Sequence, residues 1–385
     1  MEFSKRISSL PPYLFAEIDK KIEEKKAQGC DVISLGIGDP VEPTPKHIIE
    51  KLAEEAQNTE NHRYPSYYGM PQLRKSIADF YKRRFSVDLD PDKEVLPLIG
   101  SKEGLAHIYL ALCDEGDTAL IPDPGYPVYQ TGAIIAGVKR ELMPLLDENK
   151  FNPDFSTIDE NIARQAKLMW LCYPNNPTGA IAKDNLFEEA IRFAKKNDIA
   201  ICHDNPYSEI TFDGYIAPSF LQYEGAKDMG IEFNSLSKTY NMTGWRIGYV
   251  VGNARIIEAL GRVKTNVDSG IFNAVQLAGI EALNGSQESV EEMRKIYKKR
   301  RDMVVSTLKD IGLAVEEPKA TIYVWVPVPE GYTSESFATH ILEKASVVVP
   351  PGNAYGPSGE GFIRISLTTK DDRLEEALKR IKECL

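Results

Sequence analysis

Ile231-Glu-Phe-Asn-Ser235-Leu-Ser-Lys238-Thr-Tyr-Asn-Met-Thr-Gly-Trp-Arg246-Ile-Gly248-Tyr-Val-Val251 sets two short apolar runs, 231–235 and 246–251, on either side of a polar connection with a lysine among hydroxyls. Upstream, from about Asp31, the same texture repeats. Apolar, β-branched runs at 95–100, 118–121, 167–173 and 199–203 alternate with helical patterns that include 102–112, 127–136 and 185–196. Alternation of this kind is the signature of βαβ units and a mainly parallel sheet, so the central domain is expected to be α/β. Downstream of Asn284 the texture changes. A long charged helical stretch at 287–309 precedes runs at 321–328, 334–344 and 362–367 and a terminal helix at 371–384, which reads as a smaller α+β domain. The expected division is an N-terminal segment, 1–40, with a helix near 13–28 that packs on the smaller domain; a large domain, 41–284; and the small domain, 285–385.

Composition narrows the function. The 385 residues carry 46 Lys+Arg against 57 Asp+Glu, a formal charge of −11, with 42% hydrophobic and 27% charged residues. That is a globular composition, and its net charge opposes adhesion to nucleic acid or anionic lipid while leaving room for a local anion site. The longest apolar stretches, such as 132–138 and 168–173, are far shorter than the roughly 18–20 residues of a membrane helix. The first ten residues show neither a signal-peptide core nor a transit pattern, so a cytoplasmic protein is expected. Five cysteines and five histidines are scattered without C-x-x-C or H-x-x-x-H spacing, so no metal is expected. A P-loop and a G-x-S-x-G elbow are absent, and Gly36-Ile-Gly38 lacks the third glycine of a dinucleotide fingerprint.

Lys238 follows a predicted strand, where α/β sheets present ligand-binding groups. On an open surface it is an ordinary solvated charge. In a walled site, desolvation and nearby cations lower a lysine's pKa and make its amine a nucleophile toward an aldehyde. The aldehyde this points to is pyridoxal 5'-phosphate, with Ser235 and Ser237 as hydrogen-bond donors and Arg246 as the planar cation for its phosphate. In Ile201-Cys-His-Asp204-Asn-Pro-Tyr207 the acid either opens an Asp-Asn-Pro turn or pairs with a protonated pyridine nitrogen, keeping the ring an electron sink. Tyr207 is then placed to bond the ring's phenolic oxygen. Tyr173-Pro-Asn-Asn176-Pro-Thr-Gly179 reads by itself only as a loop. Gly100-Ser101-Lys102-Glu-Gly opens a predicted helix, whose N-terminal N–H groups favour an anion; Ser101 also reads as an N-cap, with Glu103 in the first turn. In Phe362-Ile-Arg364-Ile-Ser an arginine interrupts an apolar strand, a costly burial unless an anion pairs with it.

Asp-Pro-Gly-Tyr126-Pro, Asn176-Pro-Thr-Gly, Asp204-x-x-Tyr207 and Ser235-x-Ser-Lys238 with Arg246 beyond it occur in family order. Over about 13–364 the chain resembles the fold-type I pyridoxal-phosphate enzymes, specifically the class I/II aminotransferases. The resemblance implies a large domain with a mainly parallel central sheet and a smaller α+β domain. It makes Lys238 the lysine that condenses with the cofactor and then moves a proton at the substrate α-carbon. Asp204 and Tyr207 act with it, Tyr126 stacks on the ring, Asn176 joins Tyr207 at the phenolic oxygen, and Arg364 clamps the substrate α-carboxylate.

Pro12-Tyr13-Leu-Phe-Ala-Glu-Ile and Val32-Ile-Ser-Leu-Gly-Ile-Gly38-Asp-Pro look, more finely, like the LL-diaminopimelate aminotransferases. By that resemblance Tyr13 meets the distal end of the substrate, Gly38 lies beside its carboxylate, and Lys102 reaches the distal carboxylate. Tyr64 crosses to the neighbouring subunit's phosphate and Asn273 makes another cross-subunit contact, so a homodimer with shared sites is implied. The plant-type Ile-Glu-Gly segment is replaced here by Thr59-Glu60-Asn61-His62-Arg63, with its acid shifted by one residue. The expected reaction is ping-pong amino transfer between glutamate/2-oxoglutarate and tetrahydrodipicolinate/LL-diaminopimelate in lysine biosynthesis. The alternatives are an aminotransferase for aspartate, alanine or another amino acid, and a same-fold carbon–sulfur β-lyase, which would release ammonia and pyruvate without a keto-acid acceptor.

Overall fold

The computed structural model describes residues 2–11 and 14–385, the side chains of 14–19 and 21 apart. In chain order the strands are β1 (Ile33–Ser34), β2 (Val95–Leu98), β3 (Thr118–Asp123), β4 (Lys139–Pro144), β5 (Ala166–Cys172), β6 (Ala200–Asp204), β7 (Gly230–Ser235), β8 (Gly248–Gly252), β9 (Tyr323–Pro327), β10 (Val347–Val348) and β11 (Phe362–Ser366). Seven of them form one sheet in the order β2-β8-β7-β6-β5-β3-β4.

Every pairing from β7 through β6, β5 and β3 to β4 is parallel, while β8 runs antiparallel to both β7 and β2. The short connection between β7 and β8 holds no crossover helix long enough to return the chain for a parallel pairing, so the chain reverses. The consequence is functional. The C-terminal ends of β2, β3, β5, β6 and β7 and the start of β8 all lie along one edge of the sheet. In an open α/β sheet that edge carries the ligand-binding loops.

Helices cover both faces, so the inner strands are buried throughout; β3 and β7 carry no exposed residue. Side chains alternate between two apolar layers, and β6 shows the split: Ile201 enters one layer and Cys202 the other. Strand β4 has no counterpart among the runs read from sequence. Of its Lys-Arg-Glu-Leu-Met-Pro only Met143 is buried, and it forms the sheet edge, where charges are tolerated and discourage pairing with another chain. The run at 246–251 begins as a strand only at Gly248, because Arg246 has φ 54 in the left-handed region and breaks the extended backbone.

The C-terminal part forms a third apolar cluster. Val304, Val305 and Leu308 of the helix Glu288–Asp310 pack there with Ile363 and Ile365 of β11 and with Leu374 and Leu378 of the last helix. Strand β11 pairs antiparallel with β9, setting Arg364 opposite Trp325. Alternation sends Ile363 and Ile365 into that cluster and Arg364 the other way, toward the large sheet. Strand β1 pairs in parallel with β10, so the N-terminal segment is stitched onto this part of the chain. Among the described residues no helix is long and apolar enough to cross a membrane.

Candidate active site

A cleft of about 380 Å³ opens along the C-terminal edge of the sheet, and its lining includes Lys238, Asp204, Tyr207, Asn176, Tyr126 and Arg246. Gly38, Ser101, Lys102, Ser235 and Ser237 border it as well. A larger cleft of about 720 Å³, between Lys150 and Lys309, contains none of the residues assigned a catalytic or binding role from the sequence. Size alone therefore does not locate the chemistry.

Lys238 sits in a single helical turn, Leu236–Thr239, that follows β7. Ser235 caps this turn: its Oγ accepts from the Ser237 N–H at 3.1 Å, which leaves the hydroxyl proton able to donate. The Lys238 ammonium donates to the Gly38 carbonyl. Burial lowers its pKa to about 8, Arg364 and Arg246 push it further the same way, and Asp39 opposes them. A neutral amine is thus accessible near physiological pH, which a nucleophile or proton acceptor requires. Reductive methylation of cofactor-free protein is expected to reach half its maximal rate at Lys238 near pH 8, against about 10.4 for surface lysines, when the labelled peptides are quantified across a pH series.

Asp204 ends β6 and is almost wholly buried. Its Oδ2 accepts from the Tyr129 hydroxyl at 2.7 Å. Tyr129 is itself fixed by a stacked contact with Trp170, ring centroids 4.8 Å apart, and by its carbonyl, which accepts from Tyr109. The other oxygen, Oδ1, has no hydrogen-bond partner among the described residues. A buried carboxylate oxygen with nothing to accept is costly, and here it is presented at the floor of a cleft. Burial raises the pKa to about 6, against the hydrogen bond from Tyr129 and the charge of His203. The raised value means that the folded cofactor-free protein binds the extra proton, so stability falls as pH climbs from about 4 to about 6. Asp204→Asn removes that penalty: at pH 8 it should stabilise the cofactor-free protein by up to about 3 kcal/mol in urea melts, with no gain at pH 3.

At the other end of the cleft lies an anion cradle. The helix Ser101–Leu112 begins there with Gly100 as its N-cap and no side-chain cap, so Ser101 is the first helical residue rather than the cap. Gly100 has φ 71, and a Cβ on it would collide with the Arg246 guanidinium. The left-handed turn at Arg246 that precedes β8 points this cation at the helix N-terminus, and its Nη1 also donates to the Thr243 carbonyl at 2.8 Å. Helix N–H groups, three serine hydroxyls and an arginine form a donor set that suits a phosphate.

Arg364 lies under the cleft wall and is fully buried. It donates to Asn176 Oδ1 at 2.8 Å and to the Gly36 carbonyl at 2.6 Å, and its guanidinium stacks over Tyr323 at 4.0 Å and Tyr355 at 4.8 Å. The Asn176 loop, the 36–39 segment and β11 therefore meet at one cation. Tyr207 is tied to the same group, its hydroxyl donating to that of Tyr323 at 3.3 Å.

Tyr64 and Asn273 stay out of this cleft, as do Arg63 and Glu60. Tyr64 is 85% exposed, and Glu60 pairs loosely with Arg63 at 3.8 Å on the surface. Tyr13 lies outside the described residues. Sequence reading missed Tyr323, Tyr129 and Asp39. Tyr129 had a signal, since it follows Tyr126 by one helical turn and shares its face; Tyr323 had none, because only the register of β9 with β11 brings it over Arg364.

A family model described as "Aminotransferase class I and II" matches residues 30–381. The LL-diaminopimelate aminotransferase of Moorella thermoacetica is 56% identical over 385 residues, covering 100% of this chain and 99% of the relative. That of Halothermothrix orenii is 56% identical over 382 residues, covering 99% and 98%. Among solved structures, substrate-bound BacF from Bacillus subtilis superposes with a TM-score of 0.95 at 40% identity, covering 100% of this chain and 98% of that one. With its sheet-edge lysine, its buried acid and a match along nearly its whole length, the chain belongs to the class I and II aminotransferases.

Proposed function

We propose that this chain is a pyridoxal-phosphate-dependent LL-diaminopimelate aminotransferase, making LL-diaminopimelate and 2-oxoglutarate from tetrahydrodipicolinate and glutamate. For the amino transfer, the supporting observation is the Lys238 amine, lowered toward neutrality in a cleft between the open oxygen of Asp204 and the buried Arg364. For the substrate, the support is the run of relatives of that name at 55–56% identity over nearly the full chain.

The donor set fits the cofactor. Bound pyridoxal phosphate supplies an aldehyde that links to an amine and a ring that accepts the electron pair left when the Cα–H bond breaks. Asp204 offers Oδ1 to the proton on the ring nitrogen and holds it there by charge. Ser101, Lys102, Ser235, Ser237, Arg246 and the open helix N-terminus would hold the phosphate, with Tyr64 from a second copy completing the cup. Tyr126 packs on the ring, and Asn176 and Tyr207 serve its phenolic oxygen. Arg364 takes the substrate α-carboxylate in its planar fork and so fixes which Cα bond faces Lys238. Lys238 would then take the proton from Cα and deliver it two atoms along, to the carbon that had been the cofactor's aldehyde, working as base and acid in turn. Both half-reactions use this one set of groups, hence ping-pong kinetics. The distal end of the substrate falls to Gly38, Lys102, Tyr13 and Asn273.

The division into 1–40, 41–284 and 285–385 belongs to the same reading, and the β1–β10 pairing and the separate C-terminal core support it. A homodimer belongs to it as well, supported by the exposed rings of Tyr64, Tyr67, Tyr68 and Phe272.

Steady-state assays with LL-diaminopimelate, its meso isomer, aspartate and alanine, each with 2-oxoglutarate, test the assignment. The LL isomer is expected to exceed the others in kcat/KM by at least about a hundredfold. Equal preference would overturn the substrate, and pyruvate with ammonia in the absence of a keto acid would overturn amino transfer.

A further inference from the structure

On the opposite face of β6 from Asp204 lies a buried charged group that the mechanism does not use. His203 and Glu232 are both 0% exposed. The imidazole Nδ1 is 2.8 Å from Glu232 Oε2, and Nε2 is 3.1 Å from the carbonyl oxygen of Tyr173. A peptide carbonyl only accepts, so Nε2 carries a hydrogen. The Glu232 carboxylate also accepts from the Tyr81 hydroxyl at 2.6 Å, the Ser219 hydroxyl at 3.0 Å and the Phe220 N–H at 2.9 Å. Burial works against its charge, yet the hydrogen bonds from His203, Tyr81 and Phe220 hold its pKa below the ordinary carboxyl value. Donors gathered on one carboxylate favour its anion, so the shared proton belongs on Nδ1. The edges of Phe187 and Phe220 close over the ring at 5.0 and 6.2 Å.

From this we infer that His203 is a positioning residue: a buried imidazolium that pins Tyr173 at the root of the Asn176 loop and, through the strand, keeps the Asp204 carboxylate anionic. The inference rests on the cofactor reading above, since an anionic Asp204 is what a protonated ring nitrogen needs. The titratable groups facing Asp204 are Tyr129 and Cys172, both driven upward by burial and so neutral, and His203, which is the cation. Facing the His203–Glu232 pair are the phenols of Tyr81 and Tyr249, likewise pushed upward. At a few ångströms inside a protein one unit charge shifts a neighbour on the order of one pH unit or more.

Two measurements test it. In 15N-histidine-labelled protein at pH 8, both His203 nitrogens are expected at protonated-imidazolium shifts; a neutral tautomer would overturn the inference, and this readout needs no cofactor. In the cofactor-loaded enzyme, His203→Gln is expected to move the acid limb of kcat/KM up by about one pH unit. A uniform loss of rate with that limb unmoved would mean a merely structural role and would also overturn it. Borohydride fixation at Lys238 in the same preparation separates this failure from failure of the cofactor reading. If the variant does not fold, the spectrum of the unsubstituted protein decides.

Discussion

Lys238→Ala is expected to lower single-turnover amino transfer by at least about 10⁴-fold, because one substitution removes both the anchoring amine and the group that moves the proton. Lys238→Arg should fare no better, since a guanidinium stays protonated and cannot act as a base. Unfolding does not account for the expected loss. The wild-type amine is pushed down to about 8 by burial, so an ammonium at this position is disfavoured by its surroundings, and its removal should leave the melting temperature unchanged or raised. Stopped-flow mixing of each variant with amino acid, together with thermal melts, checks both halves. A variant within tenfold of wild type would mean that another group moves the proton.

Arg364→Lys should cost about 10² to 10³ in kcat/KM, in keeping with the 2–5 kcal/mol lost when one partner of a buried charge pair is truncated. Lysine preserves the charge but not the fork. The fork also holds the Asn176 side chain and the Gly36 carbonyl, and its flat face lies between Tyr323 and Tyr355, where an ammonium has no equivalent fit. Most of the effect should appear in KM, because a carboxylate clamp binds substrate and transition state alike. An amine lacking the α-carboxylate provides the control: wild type and variant should process it equally slowly. Unequal loss on that substrate would assign Arg364 a role in chemistry rather than in holding the carboxylate.

Much of this arrangement could be read from residue order. The inner strands are buried on both faces and so announce themselves as apolar runs, and the site residues follow them because loops at one sheet edge are where the chain exposes polar groups. The edge strand β4 did not announce itself, since its charged residues face solvent and no periodic apolar face survives. The reversal at β8 was implicit in the short connection after Lys238, too short for a crossover helix. What local pattern could not supply was contact across long separations. Tyr323 reaches Tyr207 and Arg364 only through the β9–β11 pairing, and Tyr129 finds Asp204 only because the helix Pro127–Ala136, packed over β3 and β4, lays its ring along Trp170 of β5 toward the end of β6. Glu60 marks another limit. Its shift by one residue is plain in the sequence, and its own chain shows only an exposed acid beside Arg63.

The most direct test is covalent. Protein purified with vitamin B6 present is reduced with borohydride, digested, and its peptides are weighed. A phosphopyridoxyl mass on Lys238 is the predicted result. An unmodified Lys238 peptide, or the label on another lysine, would contradict the account.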